Sequence, residues 1–155
     1  MTEMKFIQLS DIQKQVLQAA SEAMKRAYCP YSHFAVGAAL ATPVGNIIAG
    51  ANVENSAYGS TICAERSAIC HANIKGFRQF EHLAIVVSHN GFATSDVAAP
   101  CGACRQMLWE FSSLYKQKLT LILATLNHSL IKVVTLDDLL PMAFGPGDMG
   151  FRGSP

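Results

Sequence analysis

Charge is what this sequence has least of. Only 15% of its 155 residues are Asp, Glu, Lys or Arg, and the formal net charge is +1. No basic run is longer than Lys25-Arg26, whereas a protein that grips a polynucleotide backbone carries a basic patch or stripe. The expected partner is therefore a small molecule and not a nucleic acid. No apolar run is long enough to span a bilayer, so no membrane association is expected. The opening Met1-Thr2-Glu3-Met4-Lys5 lacks the basic start and apolar core of a signal peptide, which predicts a cytoplasmic location. Half of the residues are apolar, too many for a disordered chain. So few charges leave little polar surface for a monomer, which points to an apolar face buried in an oligomer.

Five cysteines are an odd number in a chain with no secretion signal, which argues against a disulfide framework. Reduced thiols are buried small hydrophobes, reactive groups or metal ligands, and spacing has to decide among them.

Ser10 and Gln13 read as a capping box that opens an amphipathic helix over about 11–27. Pro30 closes it. Strand-like segments at 34–41 and 47–52 flank a turn at Pro43-Val44-Gly45-Asn46, which predicts a hairpin. A loop at 55–60, a helix at 63–73, an apolar strand at 82–88, a helix at 102–115 and a strand at 119–124 follow. A fifth short strand is expected at 131–134, then a capping box on Thr135 and Asp138 before Pro141. Four glycines and two prolines in 145–155 predict an extended tail. No repeat or linker interrupts the chain, so 1–155 is expected to be a single domain. Strand–helix–strand crossovers require parallel pairing. The expected fold is α/β, a three-layer α/β/α sandwich around a mixed five-stranded sheet.

The chemistry concentrates in Cys63-Ala64-Glu65-Arg66 and Pro100-Cys101-Gly102-Ala103-Cys104, both at expected helix starts. Cys101 and Cys104 are three apart and share a helix face. Zinc–sulfur bonds of about 2.3 Å in a tetrahedron place sulfurs roughly 3.8 Å apart, which that spacing can supply. Cys63 would add a third thiolate from the other helix, and unpaired N–H groups at both helix starts favour negative sulfur. Three protein ligands leave a position open, the mark of a catalytic zinc. Cys70 is seven residues after Cys63, about 10 Å along the helix, too far to share its ion. Spacing alone does not exclude Cys29 as a fourth ligand, which would make a closed, non-enzymatic zinc module. The five histidines fall in no ligand spacing and read as structural or surface groups.

A Cys-x-Glu followed downstream by Pro-Cys-x-x-Cys is the signature of the zinc nucleobase deaminases. The two segments resemble the small, homotetrameric cytidine deaminases that act on free nucleosides. The similarity continues through Tyr31-Ser32-His33-Phe34-Ala35-Val36-Gly37-Ala38-Ala39-Leu40 and Asn52-Val53-Glu54-Asn55-Ser56-Ala57-Tyr58-Gly59, over about 27–145. It implies a cytidine deaminase-like fold and one Zn²⁺ per chain on Cys63, Cys101 and Cys104. It also implies hydrolysis of cytidine and 2′-deoxycytidine to uridine and 2′-deoxyuridine with loss of ammonia, in pyrimidine salvage. By the same resemblance Glu65 is the catalytic proton shuttle. Phe34, Asn52, Val53, Glu54 and the Ala64 backbone bind the nucleoside, with Asn52 and Glu54 on the ribose. Tyr58 and Phe144 are candidates to reach a neighbouring subunit's site. Three thiolates on Zn²⁺ leave a net charge of −1, and Arg66 beside the sulfurs would restore the metal's acidity. Rivals on the same fold, acting on an aminoglycosyl-cytosine antibiotic or an RNA base, fit poorly with near-zero charge and a ribose clamp at Asn52 and Glu54.

Overall fold

The computed structural model describes residues 1–151. Helix α1 (Asp11–Met24) starts as its sequence predicts: the Gln13 N–H donates to Ser10 Oγ at 3.3 Å, and the Ser10 N–H donates to Gln13 Oε1 at 3.0 Å. Its stripe of Val16, Leu17, Ala20 and Met24 is buried. Strands β2 (Phe34–Ala41) and β3 (Ile47–Ala51) form the expected hairpin. Helix α2 (Ala64–Ile74), strand β4 (His82–His89), helix α3 (Gly102–Leu114) and strands β6 (Thr120–Thr125) and β7 (Ile131–Thr135) follow. One-turn helix α4 (Leu136–Leu139) begins at the Thr135–Asp138 capping box.

Among the described residues the sheet has seven strands, not the five expected. The additions are β1 (Thr2–Glu3), on the outer edge of β7, and β5 (Phe92–Ala93). Two residues show no alternation of polar and apolar side chains, so neither strand leaves a pattern to read. β5 pairs with Ser88 and His89, where β4 runs on past the end of β6. The remaining order is β1-β7-β6-β4-β2-β3. Only β4 and β6 are parallel neighbours; the other pairs are antiparallel, so the sheet is mixed.

Alternation along the strands sends side chains to two cores. Ala39, Ala41, Ala84, Val86, Ile122 and Ala124 pack with α1. Ala38, Leu40, Leu83, Ile85, Leu121 and Leu123 pack with Ala68 and Ile69 of α2 and Leu108 of α3. Two glycines let the helices settle this closely. A Cβ on Gly37 would lie 2.0 Å from the Ala20 carbonyl oxygen of α1, and one on Gly50 would lie 2.4 Å from the Ala68 nitrogen of α2. No helix among the described residues is long and apolar enough to cross a membrane. Of the tail expected to be extended over 145–155, Pro146–Met149 instead form a single 3-10 turn. The Gly145 N–H donates to Asp148 Oδ2 at 2.7 Å, and Pro146 is buried, so local bonding and packing override the glycine content. Residues 152–155 lie outside the described residues.

Candidate metal centre and active site

Cys63 and Cys101 are the N-cap residues of α2 and α3, both extended (φ −68°, ψ 154° and φ −65°, ψ 167°), and Cys104 lies on the first turn of α3. Neither helix start is closed by a side-chain hydrogen bond. Each therefore presents the unpaired N–H groups and positive end of its helix toward the sulfurs. The three Sγ atoms lie within 4.8 Å of one another, with Cys63 and Cys101 at 3.9 Å. That is close to the separation of roughly 3.8 Å expected for two sulfurs on a tetrahedral zinc. Cys29 and Cys70 do not belong to this cluster.

Three thiols so close cannot all ionise unaided. The Cys63 thiol falls to about 5, chiefly because the Cys104 thiol bonds to it, with the Arg66 guanidinium helping. The Cys104 thiol moves up, since its proton serves that bond and burial penalises a second thiolate. A divalent cation would relieve both constraints, because a coordinating thiol is deprotonated outright. Arg66 Nη2 donates to the Thr61 carbonyl at 2.8 Å and lies 3.8 Å from Cys63 Sγ, while its buried Nε has no partner among the described residues. The donor set and this neighbouring cation fit zinc.

Beside the sulfurs opens a cavity of about 250 Å³, lined among others by Cys63, Cys101, Ala64, Glu65, Phe34, Asn52 and Glu54. Glu65, only 5% exposed, has its carboxyl pushed up mainly by burial, with the Cys63 charge adding to the shift. At the other end Asn52 is committed to β2: its Oδ1 accepts from the Val36 N–H and its Nδ2 donates to the Phe34 carbonyl, both at 2.9 Å. Glu54 accepts from the Tyr31 N–H at 2.9 Å, the Ser32 N–H at 3.2 Å and the Ser32 hydroxyl. These donors, the hydroxyl first, hold its carboxyl below the usual carboxylate range.

The family model for the cytidine and deoxycytidylate deaminase zinc-binding region matches residues 10–117. The chain belongs to this family. It is 40% identical over 141 residues to a cytidine deaminase of Sporosarcina psychrophila, covering 91% of this chain and 96% of that one. It is 40% identical over 134 residues to a cytidine deaminase of Halalkalibacterium halodurans, covering 86% and 95%. The crystal structure of a cytidine deaminase from Burkholderia pseudomallei superposes with a TM-score of 0.76 at 39% identity, over 88% of this chain and 100% of that one. Membership makes this a zinc-binding deaminase region, in keeping with the three-sulfur cluster.

Five of the expected residues do not line the cavity: Cys104 and Arg66, which stand with the sulfur cluster, Val53, and Tyr58 and Phe144, whose expected place is a neighbouring subunit's site. Val53 turns its side chain outward, 48% exposed, while its N–H and carbonyl are both bonded to Ile62. Tyr58 is 76% exposed and meets the Tyr31 ring edge-on. Phe144 is exposed, and its carbonyl accepts from Gln106 Nε2 at 2.9 Å. Conversely, Ser32, Thr61, Ile85, Ala98 and Ala99 line the cavity without having been singled out. Ser32 stands inside the Tyr31-Ser32-His33-Phe34 run, a signal that could have been used. Ala98 and Ala99 carry no chemistry of their own, so only the fold reveals them.

Proposed function

We propose that this chain, as one domain over 1–155, hydrolyses cytidine and 2′-deoxycytidine to uridine and 2′-deoxyuridine, releasing ammonia in pyrimidine salvage. The observation that carries the reading is the convergence of three sulfurs and the buried Glu65 on one end of a nucleoside-sized cavity. Cys63, Cys101 and Cys104 would hold a zinc, which supplies the Lewis acidity that makes water a nucleophile at neutral pH. Glu65 takes the proton from the attacking water and hands it to N3 of the cytosine ring, opening C4 to attack. It then carries a proton to the exocyclic nitrogen, which leaves as ammonia while the C4 carbonyl forms. The Ala64 N–H holds the base carbonyl, and Phe34 packs on the ring.

A carboxylate offers about four acceptor positions. Three on Glu54 are engaged, which leaves capacity for a ribose hydroxyl. Asn52 keeps the second N–H of its amide for the same sugar, and Val53 keeps both residues in place through its bonds to Ile62.

The protein acts in the cytoplasm as a homotetramer, in which exposed Tyr58 and Phe144 reach a neighbouring subunit's cavity. Light scattering should give four chains per particle, and an active monomer would remove that assembly. The function itself is tested by adding cytidine to the zinc-loaded chain. Stoichiometric ammonia and uridine are expected, and their absence would overturn the reading.

A further inference from the structure

Residues 95–99, on the way from β5 into α3, supply one wall of the cavity through Ala98 and Ala99. Among the described residues, this segment makes no backbone–backbone hydrogen bond to the rest of the fold. Its polar bonds are few. Thr94 Oγ1 donates to the Asp96 carbonyl and the Val97 N–H donates to Asp96 Oδ1, both at 2.7 Å and both local. Only one reaches the sheet: Lys132 Nζ donates to the same Asp96 Oδ1 at 2.6 Å.

Lys132 is the second residue of β7, opposite Leu123 of β6. Its neighbours Ile131 and Val133 pack toward α1, so by alternation Lys132 faces the side of α2 and α3. Its side chain is only 20% exposed, against 61% for Asp96. The stem is thus covered while the ammonium reaches out to the loop. The Asp96 carboxyl lies below its usual range, first of all because of this bond.

We infer that Lys132 is a positioning residue for the deamination: through Asp96 it fixes the 95–99 wall against the nucleoside cavity and thereby sets substrate affinity. The inference rests on the reading of that cavity as the nucleoside site. An ion pair with one partner mostly in solvent adds little to global stability. Once this tether is cut, however, the wall segment is held only by the packing of Val97 and Ala98 against the core, so it loosens and the cost of ordering it again falls on binding. Lys132 touches none of the reacting atoms, so turnover of bound substrate should be spared.

The test compares Lys132→Met, which keeps the stem, with Lys132→Arg, which keeps the charge, in the zinc-loaded full chain. Lys132→Met should raise KM for cytidine about fivefold to tenfold with kcat within roughly twofold of the parent. Zinc content and Tm should be unchanged, and Lys132→Arg should restore KM. Asp96→Asn should behave like Lys132→Met, and the double variant should be no worse than either, as for two ends of one contact. Backbone order parameters of Val97, Ala98 and Ala99 should fall in Lys132→Met from about 0.85 toward 0.6. Unchanged KM and order parameters would overturn the inference. A joint fall of Tm and kcat would also overturn it, because that is a structural role. If the parent itself releases no ammonia from cytidine, the deaminase reading fails on that result alone. The order parameters then still decide whether Lys132 tethers the wall.

Discussion

At the end of the cavity held by the starts of α2 and α3, polar groups outnumber their partners, whereas at the end held by Tyr31–Phe34 and Asn52–Glu54 they are bonded to one another. Three sulfurs crowd together, with the Cys63 thiol pulled down and the Cys104 thiol pushed up, while both helix starts are uncapped and, among the described residues, Arg66 Nε is unpartnered. Asn52, by contrast, has both ends of its amide on the backbone, and Glu54 has three donors. The first end is built to be completed by something added, the second to hold its shape before anything arrives. Substitutions should therefore fail differently: at the first end in metal and turnover, at the second in stability and affinity.

The largest effect is expected from Cys63→Ala. It removes one of the three clustered sulfurs, so zinc should drop well below one equivalent per chain. Activity should fall by about 10⁴-fold or more, a substantial part of the roughly 10⁶-fold or greater acceleration that enzymes provide. Metal analysis that finds full zinc in this variant would break the ligand set. Glu65→Gln comes next and sharpens the contrast within the same end. Glu65 is not among the clustered donors, so zinc, fold and nucleoside binding should persist. Proton transfer by a positioned side chain is typically worth about 10²–10⁴-fold, and one carboxylate serving successive transfers should lose at least the upper figure in kcat. Turnover within tenfold of the parent would assign the base elsewhere, and loss of zinc would make Glu65 a ligand.

The two ends also differ in how far the sequence announces them. Cys63-x-Glu65 and Pro100-Cys101-x-x-Cys104 are local, and thiolate chemistry limits what such spacing can mean, so the metal end is legible before any fold is known. The main helices and strands are legible as well, because α1 buries one stripe and β2, β4 and β6 are apolar runs buried almost without interruption. What is not legible depends on contact between distant segments. Glu54 meets Ser32 across 22 residues, and Lys132 meets Asp96 across 36. No pattern within a window of the chain encodes either pair. Val53 shows the converse: its place between Asn52 and Glu54 suggests a site residue, yet its backbone is bonded to Ile62 and its side chain faces out.

Asn52→Ala tests the second end for stability. The residue is 8% exposed, and truncation leaves the Val36 N–H and the Phe34 carbonyl without their partners. An unsatisfied buried group costs about 1–3 kcal/mol, so a loss of about 2–4 kcal/mol is expected. At roughly 2–4 °C per kcal/mol for a chain of this size, calorimetry should register a clear fall in Tm. Zinc content should hold. An unchanged Tm would mean that the amide is not structural and that the contrast between the two ends is overstated.

The smallest effect, and the most discriminating, should come from Ser32→Ala. Its hydroxyl donates to Glu54 and accepts from the Phe34 N–H at 3.0 Å, so one atom ties the carboxylate to the start of β2. Its removal leaves Glu54 with two backbone donors, enough to keep the carboxylate near its place. KM for cytidine should rise by about threefold to fivefold with kcat unchanged, the signature of an interaction made equally in ground and transition states. The pH profile carries the sharper test. The Glu54 carboxyl lies below its usual range first because of the Ser32 hydroxyl, so losing that donor must move it up. A group with a depressed carboxyl contributes its binding at higher pH and loses it as pH falls through that value. In Ser32→Ala the acid-side rise in KM should therefore begin at a higher pH than in the parent, while the profile of kcat stays put. An acid limb that does not move would show that Ser32 does not govern the carboxylate, and a shift in kcat instead would place its influence at the metal end.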